Sequence, residues 1–179
     1  GLINSPERMT RFGYINLNTT IIAPPIYRFI RSVTPWHEDV MAGRLRAHYD
    51  PKTKTLTRST DGTGDTGFSF YLSIYPDMKF KDSPSPARQE RVDVINKYRK
   101  QSLYTQYLVE PAGIRDLAVS DTGRLLIDDI NKLYIQLLNL AQSMSGSITS
   151  PIYDPIRFSI QSKAMEIYSY LDNMMSGKR

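Results

Sequence analysis

Leu126-Ile127-Asp128-Asp129-Ile130-Asn131-Lys132-Leu133-Tyr134-Ile135-Gln136-Leu137-Leu138-Asn139-Leu140-Ala141-Gln142-Ser143-Met144 sets its apolar side chains at Ile127, Ile130, Leu133, Tyr134, Leu137, Leu138, Ala141 and Met144. That is the three-and-four spacing of one helix face. Ser145-Gly146-Ser147-Ile148-Thr149-Ser150-Pro151 breaks the pattern, and Ile156, Ile160, Ala164, Ile167, Tyr168, Leu171 and Met174 or Met175 resume it. The spacing predicts a helical hairpin with arms over 126–144 and 155–175. A hairpin of this kind exposes most of its outer surface, which suits a rigid spacer or a docking post.

Outward from the hairpin the elements are mixed. Residues 11–22 alternate as a strand, and Pro24-Pro25 then opens a short helix, proline being tolerated in a first turn. Residues 44–49 and 53–59 read as two strands joined at Asp50-Pro51-Lys52, a hairpin by turn chemistry. A loop follows over 61–67. The aromatics of 68–75 suit a strand or a helix, and Pro76 ends either. Ser83-Pro84-Ser85-Pro86 leads into a helical run to Lys100 bearing Arg88, Arg91, Lys97, Arg99 and Lys100, and 107–117 is a strand-like run ending in a proline turn. The fold class is α+β, with a body over 1–125 and the hairpin over 126–179.

Composition bounds the function. At 179 residues and 40% apolar, the chain can bury one real core. No apolar run approaches the roughly 18 residues of a membrane span, so no membrane partner is expected. Without cysteine there is neither a disulfide framework nor a thiolate zinc site. A net charge of +5, a pI of about 9.4 and 12 tyrosines suit a nucleic-acid partner.

Three local motifs invite a chemical reading. Gly62-Thr63-Gly64-Asp65-Thr66-Gly67 fits the G-x-G-x-x-G dinucleotide fingerprint, but a Thr- and Lys-rich strand precedes it and Pro76 leaves little room for a crossover helix. A plain loop is the better reading. Asp65-Thr66-Gly67 and Asp121-Thr122-Gly123 repeat the Asp-Thr-Gly of aspartic proteases, where two apposed carboxylates share a proton. The apolar strands that should precede each aspartate are missing, and the two copies sit close together for a two-lobed enzyme. Trp36-His37-Glu38-Asp39 has no second histidine at i+4, so a capping and surface role is expected there rather than a metal site. Met165, Met174 and Met175 read as core filler.

The order of segments around the hairpin resembles the clamp region of the largest (beta-prime) subunit of multisubunit DNA-directed RNA polymerases. The resemblance rests on Ile114-Arg115-Asp116 after the strand-like run, on Gly123-Arg124 in a lid-like segment, and on Asp129-Ile130-Asn131-Lys132-Leu133-Tyr134 opening the coiled coil. It rests also on Glu7-Arg8-Met9-Thr10-Arg11-Phe12-Gly13-Tyr14-Ile15-Asn16-Leu17 near the start, while 36–83 has no counterpart. The resemblance implies a clamp domain with a protruding antiparallel coiled-coil hairpin and a lid loop over 118–125. It implies DNA and RNA contacts, here assigned to Arg124, Gly123, Thr122, Arg115, Arg88 and Arg91, and docking of a promoter-specificity (sigma-like) factor on Gln136, Asn139, Leu140, Gln142 and Ser143. The family's Asp-rich magnesium motif does not occur, so no catalytic residue and no cofactor is expected in this chain; Mg belongs to the complete polymerase. Missing cysteines, short length and a chain ending before the catalytic barrel resemble the split subunits of large bacteriophages, which implies other polymerase subunits as partners and a place in the bacterial host cytoplasm or the phage virion. The alternatives are a free-standing basic nucleic-acid-binding or adaptor protein and an aspartic protease using Asp65 and Asp121.

Overall fold

The computed structural model describes residues 13–109, 121–144 and 150–176, with the backbone alone at 121–125 and 175. Among the described residues the chain is α+β. The order is β1 (Tyr14–Ile22), α1 (Pro24–Val33), α2 (Pro35–Met41), β2 (Ala47–Asp50), β3 (Thr55–Arg58), α3 (Phe68–Ile74), α4 (Pro86–Tyr98), β4 (Leu103–Leu108), α5 (Asp121–Gln142) and α6 (Asp154–Met175). Two compact units divide it. The first joins Gly1–Ile21, Tyr104–Ile148 and Ser159–Arg179; the second joins Ile22–Leu103 and Thr149–Phe158. This partition cuts across the expected 125/126 boundary, because the helices of the hairpin share a core with the strands β1 and β4.

In the second unit, prolines punctuate the helices. Pro24 and Pro25 occupy the first turn of α1, and Pro35 forces Thr34 out of helical geometry to φ −140° and ψ 74°, which ends α1 and starts α2. Helix α1 buries Ile26, Tyr27, Ile30 and Val33 on one side. The β2–β3 hairpin pairs Ala47 with Arg58 and Asp50 with Thr55. Its turn is held by Asp50, whose Oδ1 accepts from Lys52 N at 2.9 Å and whose carbonyl accepts from Lys54 N at 2.7 Å. Asp65 adds an antiparallel bridge to Ala47. Gly64 beside it stands at φ +100°, and a Cβ there would lie 2.5 Å from the Ala47 carbonyl oxygen, so only glycine fits. Residues 68–74 are helical, which decides the strand-or-helix alternative. Asp154 Oδ1 accepts from the backbone N and the hydroxyl of Ser69, capping the α3 start from the beginning of α6.

In the first unit, β1 and β4 form a two-stranded antiparallel ribbon. Val109 N donates to Gly13 O at one end and Ala23 N to Ser102 O at the other, so β1 holds three more residues than β4 between those bonds. The surplus is a bulge with Asn18 at φ 56°. Asn18 Nδ2 donates to the Ala141 carbonyl at 3.0 Å, satisfying one of the orphan acceptors at the C-terminus of α5. Ile15, Leu17 and Tyr107 point inward; the Tyr107 hydroxyl reaches Ala164 O at 3.2 Å, and its ring lies 6.5 Å from that of Tyr134.

Helices α5 and α6 are joined by Lys163 Nζ to Gln136 Oε1 at 2.8 Å and by Tyr170 hydroxyl to Asp129 Oδ2 at 3.3 Å. Seven residues back along α5 correspond to seven forward along α6, so the two run antiparallel. Much of the predicted stripe is buried, with Ile130, Tyr134, Leu137, Leu138, Ala141 and Met144 from α5 and Ile160, Ala164 and Ile167 from α6, while Ile127, Leu133, Ile156, Tyr168, Leu171 and Met174 are half-buried. Two helices alone cannot bury side chains completely. The inward face of the ribbon covers part of this stripe, so the pair is less exposed than a free hairpin would be.

Residues 121–125 are corrected from lid loop to helix, since α5 begins at Asp121. Asp and Thr favour a helix start, where an acid also meets the positive end of the helix dipole. Residues 118–120 lie outside the described residues.

Candidate nucleic-acid interface

The formal charge is divided unevenly. The second unit holds fifteen Lys and Arg against ten Asp and Glu, a net +5, while the first holds eight against eight. The whole excess of the chain therefore belongs to one unit.

Within it, two of the arginines expected to meet phosphate are already engaged. Arg88 donates from Nη2 to the Val33 carbonyl, and Arg91 from Nη1 to the Ser32 hydroxyl. Both guanidinium groups sit on the last turn of α1, where a cation meets unpaired carbonyls and the negative end of the dipole. Their first task is to hold α4 against α1. Arg99 is committed likewise, to Pro76 O at 3.0 Å and Asn96 Oδ1 at 2.8 Å.

The residues that stay available were missed. Lys79 N donates to Lys54 O at 2.8 Å, which lays the segment after Pro76 along the turn of the β2–β3 hairpin and sets Lys52, Lys54, Lys79 and Lys81 around one contact. All four are exposed, and none forms an ion pair among the described residues. The Arg99–Pro76 bond brings the end of α4, with exposed Lys97 and Lys100, to the same segment. Tyr49 on β2 lies within electrostatic reach of Arg99 and of Asp77, so acids are present here but outnumbered. The available signal was the repeated spacing Lys52-x-Lys54 and Lys79-x-Lys81. Nothing in the sequence joins two such pairs 25 residues apart.

The other assigned residues fall as follows. Thr122, Gly123 and Arg124 are in the first turn of α5, and Arg115 lies outside the described residues. Gln136, Asn139 and Ser143 follow one another at helical spacing on the exposed side of α5, with Leu140 half-buried between them and Gln142 exposed beside them. Gln136 is engaged with Lys163, and the Ser143 hydroxyl donates to Leu140 O.

His37 is a core residue, which corrects the surface role expected of it. Its Nδ1 lies 2.8 Å from the Tyr71 hydroxyl, and its ring sits among Trp36, Tyr71 and Phe80 at 4.4, 5.6 and 5.3 Å. Burial lowers its pKa from 6.5 to about 3, keeping it neutral. The surrounding phenols shift the opposite way for the same reason: Tyr71 is pushed well up, and Tyr75, bonded to Ser102 Oγ at 2.8 Å, rises to about 12. Next door, Glu38 accepts from the Tyr27 hydroxyl at 2.5 Å and pairs with Arg31 at 3.1 Å. Among the described residues no three His, Asp or Glu side chains converge as for a metal ion.

The Gly-rich loop has no room for a dinucleotide phosphate at the start of α3, where the Asp154 carboxylate already stands. Asp65 and Asp121 belong to different compact units, and Asp121 is helical rather than in a loop. Among the described residues no helix is long and apolar enough to cross a membrane. No protein-family model matches the chain, and comparison with curated proteins and with solved structures gives no match.

Proposed function

We propose that the chain is a non-catalytic clamp piece of the largest subunit of a divergent, phage-type multisubunit DNA-directed RNA polymerase. In this reading the basic unit lies along the DNA and the RNA–DNA hybrid, and Arg124 makes a phosphate contact of its own. Helices α5 and α6 serve as the clamp's coiled coil, and the exposed side of α5 at Gln136, Asn139, Leu140, Gln142 and Ser143 docks a promoter-specificity factor. The magnesium chemistry belongs to the catalytic barrel of the assembled polymerase, supplied by other subunits. The observation that carries the reading is the concentration of all the excess charge in one unit, with Lys52, Lys54, Lys79 and Lys81 exposed and unpaired around one backbone contact.

The test has two arms. In the first, duplex DNA and an RNA–DNA hybrid are titrated with the full chain at several salt concentrations, and Lys52→Gln, Lys54→Gln, Lys79→Gln and Lys81→Gln are then combined. Each phosphate contact contributes about −0.9 to the slope of log K against log salt, so losing four should flatten it by about 3 to 4. An unchanged slope removes these lysines from the interface. In the second, the chain is co-expressed with polymerase subunits encoded beside it, one of which should bear an Asn-Ala-Asp-x-Asp-Gly-Asp motif. Failure to assemble with that subunit refutes the clamp reading.

A further inference from the structure

The β1–β4 ribbon has one face on the core and one in solvent. Carrying the Gly13–Val109 pairing inward sets Tyr14 opposite Leu108, Ile15 opposite Tyr107 and Asn16 opposite Gln106. The burial follows this register: Ile15 and Tyr107 are inside, while Tyr14 is 55% and Leu108 63% exposed. Tyr104, 47% exposed, continues the outer row, so among the described residues three of the five exposed large hydrophobic ones lie on this one small face.

The alternation of an antiparallel ladder also fixes where the backbone points. Tyr107 and Thr105 share the phase of Val109 and turn their N–H and C=O toward β1. Tyr104, Gln106 and Leu108 turn theirs to the other edge of β4, which pairs with no further strand among the described residues. The edge of β1 is interrupted by the Asn18 bulge; that of β4 is regular. Exposed edges are ordinarily guarded by Lys, Pro or an inward-pointing charge. Neither strand has a Lys, Arg, Asp, Glu or Pro.

We infer that β4 is the pairing edge of a homodimer, in which two copies join β4 to β4 antiparallel about a two-fold axis through Gln106. A two-fold axis perpendicular to the sheet keeps the faces in phase when the paired residue numbers have an even sum, and of those registers the one in which residue i meets residue 212 − i sets Tyr104 against Leu108. Gln106 then pairs with Gln106 of the second copy, exchanging both backbone hydrogen bonds, and Tyr104 meets Leu108 of the second copy on the outer face. The exposed aromatic and aliphatic groups cover one another, and the two primary amides, each both donor and acceptor, satisfy themselves. A second copy is the occupant that this edge selects. In an isologous contact every charge near the axis meets its own like, and this edge carries none. The unit that bears it has no net charge either. The product is a continuous four-stranded sheet, a sturdier object than an isolated two-stranded ribbon.

The chain lacks cysteine, so single cysteines report the register without background. Opposed residues in a hydrogen-bonded pair have Cα atoms about 5.5 Å apart, inside the range a disulfide spans. Gln106→Cys should therefore give a disulfide-linked dimer under mild oxidation. Tyr104→Cys should not, because position 104 of the second copy lies four residues along the strand, roughly 14 Å away. Sedimentation of the unmodified full chain across a dilution series should show a reversible dimer, and Gln106→Lys, which sets two ammonium groups against each other, should be monomeric with an unchanged circular dichroism spectrum. A monomer at every concentration, equal cross-linking at positions 104 and 106, or a dimer indifferent to Gln106→Lys overturns the inference.

Discussion

Acidification should weaken the fold through His37, and by an amount that the burial of this one side chain sets. The group has an ordinary pKa of 6.5 and a folded value of about 3, lowered by burial. The unfolded chain thus binds the proton first as pH falls. Stability from this group is complete above pH 6.5 and is lost progressively between 6.5 and about 3. At pH 5 the unfolded histidine is almost fully protonated and the folded one almost fully neutral, a gap of about 1.5 pH units or about 2 kcal/mol at 1.36 kcal/mol per unit. For a chain of this size that is a fall of roughly 4–8 °C in melting temperature between pH 7.5 and 5. Carboxylates titrate in the same range, so the quantity to measure is the difference between the native chain and His37→Phe, by urea or thermal denaturation at both pH values. The variant leaves the Tyr71 hydroxyl without its partner and is less stable at neutral pH, by about 1–3 kcal/mol, yet its loss on acidification should be about 2 kcal/mol smaller. Parallel pH profiles would show that His37 takes up its proton inside the fold without penalty, and the reasoning from burial would fail.

Two further outcomes test the interior. Asp154→Ala should cost about 3–5 kcal/mol in urea denaturation, because it takes the carboxylate, now at 2.8 Å, from the buried Arg157, which keeps only neutral acceptors at Ser69 and Ser150, and removes the cap from α3; a loss below about 1 kcal/mol, the range of surface pairs, would mean that solvent reaches the pair. Leu137→Ala on the completely buried side of α5 should cost about 2–5 kcal/mol, against a few tenths for Asn139→Ala on its exposed side, and equal shifts in melting temperature would mean that the two sides of the helix have been interchanged.

Elements whose signals are local are legible in the order of residues alone. The three-and-four spacing of α5 and α6, the first-turn prolines of α1 and the Asp50 turn of the β2–β3 hairpin act between residues at most a few positions apart. A periodic reading recovers them for that reason. The short helix α2 carries too few residues to show a period, and its polar letters hid a buried histidine. For 68–74, local propensity was divided; the choice of helix was made by Asp154, 85 residues away from Ser69. The lid-like segment over 121–125 is helical instead, and its local signal is Asp121 and Thr122, which are good helix openers.

Whatever depends on distant residues meeting was decided by the tertiary structure alone. Lys54 and Lys79 are far apart in sequence and adjacent in space, Arg88 and Arg91 spend their donors on α1, and β4 takes its register from β1 about ninety residues earlier. A helix face or a turn is stabilised within its own stretch of chain, so its residues must carry the signal. A contact between remote segments is stabilised by burial and by backbone hydrogen bonds that many residue types could make, so the sequence need not mark it, and only the packed chain selects which partners meet.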